Sequence, residues 1–197
     1  QFVDTSDRQA VTDLIHMNGL VDVVIPRGGA GLIKTVVMNA TVPVIETGAG
    51  VCHTFIDAFA NVEMAMKICY NAKVQRPSVC NAMETLLVHK DAAEKFMHPM
   101  LEKYFEAGVE IRGDERVQAF SDKVVPVTEE DWSTEYGDLR LSVKIVDSLE
   151  EAMEHIAKYT TYHSECIVTE DYENARTFQL GVDAAAVYVN ASTRFTD

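Results

Sequence analysis

Apolar positions recur every three to four residues over 9–17, and Asn18-Gly19, a natural helix stop, leads into the largely apolar run 21–25. That order predicts a helix, a turn and a buried strand. Pro26-Arg27-Gly28-Gly29 closes the strand, residues 30–38 read as a helix opening after the glycine pair, and 42–45 as a second short strand. Helix and strand keep alternating beyond Glu46. Residues 52–57 read as a strand, and 62–73 as an amphipathic helix with apolar positions 62, 65, 66, 69 and 70. Residues 74–80 form a loop that feeds a strand at 84–89, followed by a long helix at 91–107. Strands follow at 109–112, 123–127, 139–146, 165–169 and 185–190. Between them lie helices at 148–159, opened by the capping-box-like Ser148-Leu149-Glu150-Glu151, and at 172–181. Residues 118–122 and the acidic 128–137 are polar and irregular and read as surface loops.

Such alternation is the signature of an α/β protein built on a parallel sheet. It also begins and stops in mid-pattern, ending directly after an apolar strand, so the sequence reads as a piece of something longer.

Composition narrows the partner. The formal charge is −14, and the 17 Lys and Arg residues are scattered, which disfavours nucleic acid and anionic membranes and leaves a small molecule. No apolar run nears the roughly 20 residues that span a bilayer, and no signal-peptide pattern opens the chain, so a cytoplasmic protein is expected. Cys52, Cys69, Cys80 and Cys166 match no zinc or CxxC spacing, and the six histidines are scattered without ligand spacing. No metal is expected, and His53 and His163 read as makers of local hydrogen bonds.

Three stretches can carry chemistry. In VQRPSVCNAME, Cys80 sits in a polar loop near Arg76, where a cation or backbone N–H groups favour the thiolate; the alternative is a small hydrophobe under a turn. In IPRGGAGL, glycines after a strand open a helix as in anion-cradling turns, but the string lacks G-x-G-x-x-G spacing and equally suits a plain tight turn. Glu46, before Thr47-Gly48, is either a general base at a strand end or a solvated turn acid.

The strings VDVVIPRGGAGLIKTV, TVPVIETGAGVCHTFID, NAKVQRPSVCNAMETLLVH and AAAVYVNASTRFTD, in that order, resemble successive signatures of the gamma-glutamyl phosphate reductases, also called glutamate-5-semialdehyde dehydrogenases. The resemblance runs from near residue 1 to residue 197 and covers roughly half of the family's length. It implies an aldehyde-dehydrogenase-like α/β fold. Residues 1–50 would close a nucleotide (NADP)-binding domain and 51–197 would form most of a catalytic domain, incomplete at its C-terminal end, the two domains facing each other across a cleft.

The implied reaction is NADPH-dependent reduction of L-glutamyl 5-phosphate to L-glutamate 5-semialdehyde and phosphate, in proline biosynthesis. Cys80 matches the nucleophile position, with its own backbone N–H as an oxyanion donor. The superfamily's side-chain donor would lie upstream of residue 1, so this piece alone is expected to be a poor catalyst. Arg27, Gly28 and Gly29 match the turn beside the cofactor. Glu46 matches the superfamily glutamate, although Gly48-Ala49-Gly50 replaces the usual two glycines and lysine. Arg76 and Arg194, with Asn81, Asn190 and Thr193, are the candidates for gripping the anionic substrate; for the arginines the alternative is a structural salt bridge. Association with glutamate 5-kinase, fused or separate, and a homo-oligomer are both compatible with the resemblance. The competing readings are an oxidative aldehyde dehydrogenase of another substrate and a non-catalytic module that kept the fold.

Overall fold

The structure is a computed structural model that describes residues 2–46 and 48–195. Thr47, in the Glu46-Thr47-Gly48 turn, and Thr196-Asp197, in the TRFTD string, lie outside the described residues. The chain divides into two compact units, Gln1–Ala49 and Gly50–Asp197.

In the first unit, α1 (Gln9–Leu14) ends three residues before the expected Met17, and Gly19 turns the chain at φ +79°. α2 (Ala30–Asn39) follows the glycine pair as expected. Ile15, Val36 and Val42 are its buried apolar residues. The two expected strands do not form. Segments 21–25 and 42–45 meet in one parallel bridge, Val24 with Val44, fixed by Val24 N–H to Pro43 O (2.9 Å) and Ile45 N–H to Val24 O (2.9 Å). Val23, Ile25 and Ile45 are exposed rather than buried. Apolar runs of this kind become parallel strands only with neighbours on either side, and among the described residues 42–45 finds the Val24–Val44 bridge, while 21–25 adds to it an isolated bridge of Val21 with Asn18.

The second unit is a seven-stranded sheet, parallel throughout, in the order β4-β3-β5-β2-β1-β6-β7. The strands are β1 (Cys52–Ile56), β2 (Met83–His89), β3 (Glu110–Gly113), β4 (Val125–Pro126), β5 (Arg140–Val146), β6 (Ser164–Val168) and β7 (Ala186–Val189). α3 (Val62–Val74) and α4 (Lys90–Glu106) supply helical residues to one core, α6 (Leu149–Tyr159) and α7 (Tyr172–Gly181) to the other. Strand side chains alternate between these cores: Ile56, Leu86, Val88 and Cys166 join the first, Phe55, Leu87 and Ile167 the second. Burial on both faces explains why β1, β2 and β6 carry consecutive apolar residues, Phe55-Ile56, Leu86-Leu87-Val88 and Cys166-Ile167-Val168, rather than a strict alternation.

Local signals set the helix starts. Asn61, Asp114, Ser148 and Asp171 each accept a backbone N–H in the first turn of the helix that follows, α5 (Glu115–Gln118) being the short one after Asp114. The box at Ser148 is formed with a shift: Ser148 Oγ accepts from Glu151 N, while Glu151 reaches back to Asp147 N (2.7 Å).

Two local expectations are corrected, and one short element is added. The buried side of α3 is Ala65, Ile68, Cys69, Ala72 and Lys73, so Tyr70 faces out. Residues 115–118 are helical as α5, which a four-residue stretch is too short to announce. Residues 128–137 are no plain surface loop: they hold a 3₁₀ turn (Glu130–Ser133) and bury Asp131, Trp132 and Tyr136. Asp131 accepts from Thr128 N, Thr128 Oγ1, Arg112 and Tyr136, so one carboxylate of an acidic-looking loop is its anchor.

Candidate functional site

Cys80 lies in the turn between α3 and β2, where Pro77 and Asn81 discourage a continued helix. Its thiol is exposed, whereas Cys52, Cys69 and Cys166 are buried. Burial pushes the Cys52 and Cys69 thiols well above the ordinary range and that of Cys166 up to about 12. Three of the four thiols are thus held protonated, and Cys80 is the accessible one.

The Cys80 turn is tied down by its backbone. Cys52 Sγ donates to Cys80 O (3.4 Å), Ala82 N to Val79 O (2.9 Å), and Gly50 packs against the Cys80 carbonyl with no room for a Cβ. Asn81 is buried, and Arg194 donates to its Oδ1. The segment after β7 therefore reaches the Cys80 turn through Arg194. Thr193 Oγ1 and Arg194 Nε are buried next to it without a hydrogen-bond partner among the described residues. Arg194, which carries one of these orphaned donors, is bound to the residue that follows Cys80, and an unpaired buried donor there suits an anionic group. Arg76 is exposed on the same turn.

Asn190 is engaged differently. It sits at φ +57°, its Oδ1 accepts from Thr169 N (2.9 Å) and its Nδ2 donates to Thr169 O (2.8 Å), so its amide is committed to the backbone. With Asn61, Glu63, Met64, Lys67, Ile68 and Glu170 it lines a depression of about 320 Å³ that does not include Cys80.

In the first unit, the Val24–Val44 bridge puts Arg27-Gly28-Gly29 and Glu46 beyond the same ends of two parallel segments. Gly28 adopts φ +154°, which favours glycine, and Gly29 caps α2 without a side chain. The first N–H groups of α2 thus lack a side-chain cap, as an anion-binding turn requires. Arg27 and Glu46 are exposed. Among the described residues no group of three His, Cys, Asp or Glu side chains could hold a metal, and no helix is long and apolar enough to cross a membrane.

Two buried polar clusters were not anticipated. Lys73 and Glu84, 0% and 1% exposed at the side chain, form an ion pair of 2.6 Å at the two ends of the Cys80 turn. Desolvation raises Glu84 to about 7 against the pull of Lys73, and lowers Lys73 against the pull of Glu84. The signal lay in the pattern: Lys73 continues the stripe four residues beyond Cys69, and Glu84 is the one charge in the run 83–88. On the opposite sheet face, His53 Nδ1 meets Glu165 (3.0 Å), which also accepts from His53 N and Thr160 Oγ1. His163 makes the expected local bond to Ser164 Oγ (2.8 Å), whereas the partner of His53 is distant in the chain rather than local.

No family model matches the chain. It is 58% identical over its whole length to a gamma-glutamyl phosphate reductase of Caldanaerobacter subterraneus, of which it covers 48%. The crystal structure of the gamma-glutamyl phosphate reductase from Thermotoga maritima matches 100% of the chain at TM-score 0.93 and 51% identity, again over 48% of that protein. Over its whole length the chain is similar to the gamma-glutamyl phosphate reductases. It spans about half the length of the curated relatives it matches. An acetylating aldehyde dehydrogenase from Geobacillus thermoglucosidasius, at 21% identity and TM-score 0.74 over 96% of the chain and half of its own, shares the fold. The reductase homologue thus has an aldehyde-dehydrogenase-like α/β fold.

Proposed function

We propose that the intact protein reduces L-glutamyl 5-phosphate to L-glutamate 5-semialdehyde and phosphate with NADPH, in proline biosynthesis, through a thioester on Cys80. The observation that carries the reading is Cys80 itself: of four thiols it alone is exposed, on the turn where the resemblance puts the nucleophile.

The Cys80 thiolate attacks the acyl carbon, an S–C bond forms, the C–O bond to phosphorus breaks, and phosphate leaves. The single hard transfer becomes two easier ones. A nucleotide held at Arg27, Gly28 and Gly29 would supply the hydride for reduction of the thioester, whose C–S bond breaks to release the aldehyde and return the Cys80 thiolate. The backbone N–H of Cys80 faces the charge that develops on the carbonyl oxygen. Arg194, with Asn81 and Thr193, and the exposed Arg76 offer positive charge and donors to the substrate's carboxylate and phosphate. Asn190 serves this group by holding the strand end from which residues 191–195 depart. For the nucleotide, Arg27, Gly28 and Gly29 fit an anionic group at the start of α2, and Glu46 stands beyond the same end of the bridge. We assign residues 1–50 to the nucleotide-binding part and 51–197 to the catalytic part, with glutamate 5-kinase as the supplier of substrate.

The test is an assay of the intact protein in reverse, with L-glutamate 5-semialdehyde, phosphate and either NADP⁺ or NAD⁺. Phosphate-dependent reduction of NADP⁺ is expected. Aldehyde oxidation that proceeds equally well without phosphate would contradict the reading.

A further inference from the structure

Within the Cys80 turn the ties are made by the backbone and by Asn81. Gln75, Arg76, Ser78 and Cys80 are exposed, and the span is secured by Asn81, the Cys80 carbonyl and the Val79–Ala82 bond. Its two ends are another matter. Lys73 stands in the last turn of α3, Glu84 is the second residue of β2, and their side chains meet at 2.6 Å in the interior. The pair is keyed to a third segment: Glu84 Oε1 accepts from Gly137 N (3.1 Å), and Lys73 Nζ stands 5.9 Å from the ring of Tyr136. Tyr136 is fixed in turn by Asp131 (2.9 Å) and Ser142 (2.8 Å).

An ion pair buried this deeply is a poor way to stabilise a fold, because desolvation offsets the attraction and apolar residues of like volume do as well or better. The shifts of both groups toward neutrality point the same way. What such a pair supplies, and an apolar contact does not, is one defined geometry through directional bonds.

We infer that Lys73 and Glu84 are positioning residues for Cys80: their ion pair clasps the end of α3 to the start of β2 and thereby fixes the turn that carries the thiol. The inference rests on the reading of Cys80 as nucleophile for its purpose, though not for its geometry. With the clasp in place, the turn has one closure and the thiol one position. Without it, the exposed span samples many, and a displacement of about 1 Å is enough to cost two orders of magnitude in rate.

The experiment compares the intact wild-type protein with Lys73→Met and with Lys73→Met/Glu84→Met. The single variant leaves a buried carboxylate unpaired and is the one at risk of not folding. The double variant fills the volume without charge and keeps the test decisive. Native-state hydrogen exchange is read on peptides covering residues 75–82 and, separately, β1 and β2. Site-resolved iodoacetamide labelling of Cys80, with kcat and KM, is read in parallel.

In the double variant, exchange of the turn is expected to rise by about tenfold or more beyond any change in β1 and β2. The Cys80 labelling rate should change, and kcat should fall with the KM for nucleotide preserved. A role in stability alone predicts turn and strands loosening in step. That result, or wild-type labelling and kcat in a folded double variant, overturns the inference. The exchange and labelling readouts hold whether or not Cys80 proves to be the nucleophile, whereas Cys80→Ser tests that reading by itself.

Discussion

The backbone of Gly50 lies against the carbonyl of Cys80 so closely that a Cβ on Gly50 would stand 1.6 Å from the oxygen and 2.9 Å from the Cys80 Cα. Both neighbours are backbone atoms and cannot swing aside as a side-chain end would. Gly50→Ala should therefore push the Cys80 turn away from the start of β1, break the Cys52–Cys80 contact and cost about 1–3 kcal/mol. Urea denaturation measures the cost, and a changed Cys80 alkylation rate reports the displacement. Wild-type values for both would show that the turn has slack.

Native protein treated with iodoacetamide at neutral pH should be labelled at Cys80, with Cys52, Cys69 and Cys166 labelled only after denaturation. The reason is access combined with protonation, since burial removes both the path and the thiolate at the other three. Peptide mapping decides it. Comparable labelling of a second cysteine in folded protein would contradict the burial described.

His155 is buried among Trp132 (ring centroids 4.9 Å apart), Tyr159 (4.6 Å) and His53 (5.8 Å). Desolvation, helped by nearby His53, Lys144 and Lys158, holds its pKa down to about 3 from an ordinary 6.5. The folded-state value is depressed, so its contribution to stability is present above about 6.5 and is lost as pH falls toward 3. The slope from this one proton is at most about 1.4 kcal/mol per pH unit. His155→Phe keeps a ring in place and removes the titration. Its unfolding free energy should decline less steeply than wild type between pH 6.5 and 4 in urea titrations, and parallel slopes would refute the assignment.

Asn190→Ala should destabilise by about 1–3 kcal/mol, because it removes both bonds to the Thr169 backbone and puts alanine at φ +57°. Asn190→Gly should cost less, since glycine tolerates that backbone and only the bonds are lost. Thermal melts of the two variants separate the terms. Equal losses would mean that the backbone angle contributes nothing.

The central strands were legible because burial on both faces sets apolar residues side by side in them, as at 86–88 and 166–168, and α3 and α6 because their caps and stripes agree. The exposure of Cys80 was legible too, since its polar, proline-containing turn contrasts with the apolar settings of the other thiols. Residues 21–25 and 42–45 misled for a physical reason: an apolar run has strand potential, but pairing supplies the strand, and here the pairing stops at isolated bridges. Asp131 and the Lys73–Glu84 pair were hidden because a charged side chain reads as solvated until its partner, 19 residues away for Arg112 and 11 for Glu84, is known. Asn190 looked like a polar site residue, and only the fold reveals that Thr169 occupies its amide.

The central claim is that Cys80 carries the acyl group, and the most direct measurement is the turnover of Cys80→Ser in the intact protein. Serine fills nearly the same volume and is a far weaker nucleophile. The account predicts that phosphate-dependent NADP⁺ reduction with L-glutamate 5-semialdehyde falls to background while NADPH affinity, read by fluorescence titration, stays at the wild-type value. Near-normal turnover of Cys80→Ser would contradict it.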